Sequence, residues 1–151
     1  MACILCALVL MFLPGCFAEA AQRPHIVFIL GDDLGWDDVS FHGSHQIPAP
    51  NLDALASDGI ILGNFYAQQL CTPSRGSLLT GKHPVQIGMQ IGVITPAEPA
   101  GLSLKEKVLP EYLNTLGYQS HMVGKWHIGM FAEEYTPLHR GFKSHYGYYH
   151  G

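Results

Sequence analysis

The chain has 151 residues, of which 48% are hydrophobic and 13% charged, and carries a net charge of −4 with histidine neutral. A charged fraction about half that of an ordinary soluble domain argues against a disordered polar tail, and the acidic balance gives no reason to expect nucleic acid or a membrane surface as partner. One domain, or part of one, is the most that this length holds.

Cys3, Cys6 and Cys16 lie in an N-terminal stretch whose apolar run over 4–14 is followed by Ala18-Glu19-Ala20, a small-x-small cleavage pattern. Residues 1–20 therefore read as a secretory signal peptide, leaving 21–151 as the mature portion. The run is shorter than the roughly 20 residues of a membrane-spanning helix, so stable membrane insertion is not expected. Cys71 is then the one cysteine left, and an unpaired thiol in an oxidising route is worth flagging as reactive or modified, the alternative being a buried cysteine that packs as a small hydrophobe.

His25-Ile26-Val27-Phe28-Ile29-Leu30 is a continuous β-branched apolar run ended by Gly31-Asp32-Asp33, which predicts a strand buried on both faces. A short helix follows over 51–58, with Asn51 as N-cap, Leu52, Leu55 and Ala56 on one face and Gly59 as stop. A second strand is expected over 60–66. Another short helix is expected over 75–80, with Ser74 near its cap, Gly81 after it and Cys71 just ahead of its N-terminus. Ser103 and Glu106 fit a capping box for a helix whose apolar face runs through Leu109, Tyr112, Leu113 and Leu116. Pro110 either kinks that helix or begins it. A third strand over 118–123 runs into Gly124-Lys125-Trp126-His127. Strand, helix, strand, helix, strand is the rhythm of an open α/β sheet.

Ligands of such sheets collect at the carboxyl ends of the strands. Asp32 and Asp33 end the first strand, and Lys125 and His127 follow the third. Two adjacent carboxylates stay ionised most easily beside a cation, and Ca²⁺ or Mg²⁺ suits oxygen ligands; a solvated acidic turn is the simpler alternative. Cys71 sits among the hydroxyls of Thr72 and Ser74, the fixed turn of Pro73 and the charge of Arg75. His42 and His45 are three apart but have no further spaced ligand for zinc. Trp126 reads as a core anchor, and His139, His145 and His150 as packing or surface residues.

Cys71-Thr72-Pro73-Ser74-Arg75, followed by Gly76-Ser77-Leu78-Leu79-Thr80-Gly81-Lys82, resembles the sulfatase signature. The opening run from Pro24 through Trp36 looks like that family's first strand, and Gly124-Lys125-Trp126-His127-Ile128-Gly129 looks like its second signature. Asp37-Asp38-Val39-Ser40-Phe41-His42-Gly43 and Arg140-Gly141-Phe142 are most similar to the arylsulfatase B branch, which acts on sulfate esters of galactosamine-containing glycans.

The resemblance implies an alkaline-phosphatase-like α/β fold, of which 21–151 would be the N-terminal part of a mostly parallel sheet flanked by helices. It implies a sulfuric ester hydrolase of the arylsulfatase or N-acetylgalactosamine-4-sulfatase kind, acting on sulfated carbohydrate or aryl sulfate in the lysosome or outside the cell. Cys71 would be converted to formylglycine by the formylglycine-generating enzyme of the endoplasmic reticulum. Arg75, Lys125 and His127 would join Cys71 as catalytic residues. Asp32, Asp33 and the modified Cys71 would bind Ca²⁺, whose remaining ligands in the family come from further along the chain. The expected activity belongs to a longer polypeptide, and the alternative is a non-catalytic, truncated sulfatase-like product.

Overall fold

A computed structural model describes residues 23–151; the expected leader, 1–20, lies outside the described residues. The chain divides into two compact units, Met1–Gly31 and Asp32–Gly151. In the first unit the described residues, 23–31, form neither helix nor strand, and Ile26 to Leu30 are exposed. The strand expected over 25–30 is therefore not formed. An apolar β-branched run records a preference for burial, whereas a strand also needs a neighbour to complete its ladder of hydrogen bonds. The same correction holds for 60–66, which is irregular, with a turn around Gly63 and Asn64.

The second unit contains three α-helices and a two-stranded sheet: α1 is Pro50–Asp58, α2 Cys71–Thr80, α3 Leu109–Thr115, β1 Ser120–Lys125 and β2 Phe142–Tyr148. Helix α1 starts at Pro50, whose fixed φ suits a first helical position, so Ala49 and not Asn51 is the N-cap. Ser40 anchors its start, donating to Asp53 Oδ2 (2.8 Å) and accepting from the Ala49 N–H (3.0 Å). Leu52, Leu55 and Ala56, expected on one face, line an open apolar cavity of about 800 Å³ with Trp36, Ile60, Ile61 and Phe65.

Helix α2 begins four residues before its expected start. Cys71 is its first residue, Leu70 is the N-cap, and Pro73 sits in the first turn, where its missing N–H has no partner to lose. Ser74 is inside the helix, not at its cap, and its hydroxyl bonds back to the carbonyls of Leu70 (2.7 Å) and Gln68 (3.0 Å). The left-handed Gly81 ends the helix, donating its N–H to Ser77 O (2.8 Å).

Helix α3 settles the role of Pro110. The helix begins at Leu109, with Val108 as N-cap and Glu111 Oε2 accepting the Val108 N–H (2.7 Å). Ser103 and Glu106 form only a turn, since a proline ring within a longer helix would clash with the preceding turn.

Strand β1 replaces the strand expected over 118–123, shifted two residues on, and it pairs in parallel with β2, which the sequence pattern did not announce. Parallel pairing carries Val123 opposite Tyr146 and Lys125 opposite Tyr148. Gly124 faces Gly147, and a Cβ at Gly147 would lie 2.1 Å from the Gly124 carbonyl oxygen. Gly147 is therefore confined to glycine by backbone approach, and Gly124 by its φ of 115°.

The core gathers Ile87, Met89, Ile94, Leu102, Val108, Trp126 and Ile128. Trp126, 1% exposed, is the core anchor that the sequence suggested, and its indole N–H is shared between the carbonyls of Gly129 (3.0 Å) and Tyr135 (2.8 Å). Buried Arg140 ties the segment before α3 to the connection between the strands, donating to the carbonyls of Leu102 and Glu106 and pairing with Glu111. This packing seats β1 against α3 and fixes where the strand delivers Lys125 and His127.

Candidate active site

The carboxyl end of β1 and the amino end of α2 meet. His127 Nδ1 lies 3.1 Å from Cys71 Sγ, although 56 residues separate them in sequence. Lys125, the last residue of β1, has its Nζ 3.0 Å from Asp32 Oδ2. Arg75, one turn into α2, reaches Asp32 Oδ1 with Nη2 (3.1 Å) and the Lys125 carbonyl with Nη1 (2.6 Å). Of the five residues expected to carry chemistry with Asp32, Arg75 and Lys125 are bonded to it, while Cys71 and His127 form a second pair beside them. Asp33 stands apart from both groups: exposed, at a φ of 58°, with no hydrogen bond or ion pair among the described residues.

Two cations around one carboxylate decide the local charge. The hydrogen bond from Lys125 holds the Asp32 carboxyl below its ordinary range; partial burial opposes this and Arg75 reinforces it. Burial works against the Lys125 ammonium, yet its bond to Asp32 and the charges of Cys71 and Asp32 leave its pKa raised. His127 is 4% exposed, and burial lowers its pKa; its bond to the Ile94 carbonyl resists the shift, while Lys125 and Arg75 add to it. Near neutral pH the site therefore presents ammonium, guanidinium and a neutral imidazole around the thiol. Such a set favours a tetrahedral anion beside a nucleophile.

The donor chemistry of Asp32 and Asp33 suits a hard cation, but Ca²⁺ takes about six to eight oxygens. Both oxygens of Asp32 already face cations, and no group of three or more His, Cys, Asp or Glu side chains gathers to hold a metal among the described residues. The expected set of Asp32, Asp33 and Cys71 does not by itself compose a Ca²⁺ site.

Two groups escaped the sequence reading. Thr72 donates its hydroxyl proton to the His127 carbonyl (2.9 Å) and accepts the Ile94 N–H (3.2 Å), while the Ile94 carbonyl lies 2.9 Å from His127 Nε2. Thr72 was visible only as one hydroxyl beside the thiol. Ile94 contributes backbone alone, and no side-chain motif signals that.

Comparison with known proteins identifies the family. The Sulfatase family model matches residues 24–151, and the chain belongs to the sulfatase family. It is 43% identical over 134 residues to mouse (Mus musculus) arylsulfatase J, covering 89% of this chain and 22% of that protein. It is 45% identical over 124 residues to human (Homo sapiens) arylsulfatase A, covering 81% and 24%. Among solved structures, Ps i-CgsB in complex with k-i-k-neocarrahexaose superposes with a TM-score of 0.82 at 37% identity, covering 86% of this chain and 29% of that one. The fold is accordingly that of the sulfatases, α/β and alkaline-phosphatase-like. The chain spans about a quarter of the length of the relatives that it matches.

Proposed function

We propose that this chain is the nucleophile-bearing, N-terminal portion of a sulfuric ester hydrolase, with 1–20 as a secretory leader and 21–151 as part of the catalytic domain. The observation that carries the reading is the approach of His127 Nδ1 to Cys71 Sγ, near the Asp32 carboxylate that Arg75 and Lys125 hold. Sulfur at position 71 stands where a formylglycine hydroxyl would stand after modification by the formylglycine-generating enzyme. That group, when present, supplies a geminal diol whose one hydroxyl attacks sulfur and whose other permits release.

The chain's own residues prepare that chemistry. Lys125 offers a localised positive charge for sulfate oxygens, and Arg75 holds Asp32 and the end of β1 in place. His127, neutral near pH 7 because it is buried, accepts a hydrogen bond from position 71. Asp32 and Asp33 would supply only part of a Ca²⁺ shell, the rest coming from outside the described residues. The substrate class is sulfated carbohydrate or aryl sulfate, and the destination is the lysosome or the extracellular space. The sulfated-glycan reading is supported by the oligosaccharide in the solved relative's title.

In the full-length protein, Cys71→Ala is expected to abolish aryl sulfate turnover while secretion stays near wild type; retained turnover removes Cys71 from the mechanism.

A further inference from the structure

We infer that Thr72 and the backbone of Ile94 are positioning groups that fix His127 as its Nε2–H tautomer and aim its bare Nδ1 at the side chain of residue 71. The inference rests on the reading of Cys71 as the nucleophile position. Its geometry can nevertheless be tested without catalysis.

A carbonyl oxygen has no proton to give. At 2.9 Å from the Ile94 carbonyl, His127 Nε2 must therefore be the donor, and in the neutral ring Nδ1 must be the acceptor. Sγ of Cys71, 3.1 Å from Nδ1, then holds the place of the group that donates to it. The opposite tautomer would set the lone pair of Nε2 against the lone pairs of the carbonyl in a buried place, where no water relieves the repulsion.

Thr72 holds both ends of this arrangement with one hydroxyl. Its proton goes to the His127 carbonyl, and its oxygen accepts the N–H of Ile94, the same residue whose carbonyl meets Nε2. Thr72 is 3% exposed, so neither bond is replaced cheaply by solvent. The His127 backbone needs such support, because its φ of 61° is a left-handed conformation that a residue with a Cβ seldom adopts. Thr72 also lies next to Cys71 in the first turn of α2. The spacing between nucleophile and imidazole is therefore set by two adjacent residues of one helix.

The test compares the full-length protein with Thr72→Ser, which keeps the hydroxyl, and Thr72→Val, which keeps the shape without it. ¹⁵N spectra of histidine-labelled protein, at a pH where imidazole is neutral, read the tautomer directly. Wild type and Thr72→Ser are expected to show a protonated Nε2 and a bare Nδ1. Thr72→Val is expected to show the second tautomer, with kcat on an aryl sulfate falling roughly 10- to 100-fold and KM unchanged. A protonated Nδ1 in wild type overturns the inference, as does a Thr72→Val protein with wild-type spectrum and kcat. Should Thr72→Val not fold, the wild-type and Thr72→Ser spectra still decide. Failure of the nucleophile reading shows separately, as turnover retained by Cys71→Ala.

Discussion

His127 must be buried to meet the thiol, and burial makes its protonated form costly. Its folded-state pKa lies below the ordinary 6.5, so the folded state binds a proton less readily than the unfolded chain does. The stability that His127 contributes is therefore complete above about 6.5 and is lost as pH falls through the lower folded-state value. The unfolding midpoint is expected to drop on acidification below neutrality, and His127→Gln should flatten that slope; an unchanged slope would show that the imidazole titrates as it does in the unfolded chain. At this scale Cys71, Arg75, Lys125 and His127 stood out in the sequence because two motifs resembling the sulfatase signatures contain them, not because histidine or basic residues are scarce in the chain. The hydroxyl of Thr72 was half legible. The carbonyl of Ile94 was not, since any residue provides one.

The elements were less legible than the residues. The rhythm of alternating strands and helices gave α1, α2, α3 and β1 their approximate places, but the three helix starts moved for local reasons. Pro50 and Pro110 set helix starts through fixed φ, and Leu70 extended α2 back over Cys71. Strand β2 was hidden, because Phe142–Tyr148 carries Lys, Ser, His and glycine where a buried strand would show a continuous apolar run. Its partnership with β1 has a narrow tolerance at the facing glycines. Gly147→Ala would place a methyl group against the Gly124 carbonyl, and backbone cannot yield as a side-chain tip can. The expected cost is about 1–3 kcal/mol, read from chemical denaturation. Because Lys125 immediately follows Gly124, catalysis should fall as well; wild-type stability and turnover would show that the two strands separate there without consequence.

At the scale of the whole molecule, many apolar side chains in Asp32–Gly151, including Ile60, Phe65, Val123 and Tyr146, are exposed. Exposed apolar surface of this extent is typical of faces that other structure covers. Asp32 and Asp33 offer few oxygens, so the 151-residue chain alone is expected to bind Ca²⁺ with a Kd of about 1 mM or weaker, measured by calorimetry. Tight binding would mean that the described carboxylates suffice, and would count against the non-catalytic reading. The ion pair between Lys125 and Asp32 joins residues 93 positions apart, and the meeting of Cys71 with His127 spans 56. A ribosome adding about 5–20 residues per second makes Lys125 roughly 5–19 s after Asp32, and His127 roughly 3–11 s after Cys71. For that interval the thiol emerges before its imidazole partner has been made, and the segment that later becomes the buried first turn of α2 has nothing to pack against. In the finished fold Cys71 is half-buried and its neighbour Thr72 is buried, so the chain around the sulfur is freest before residue 127 has been added.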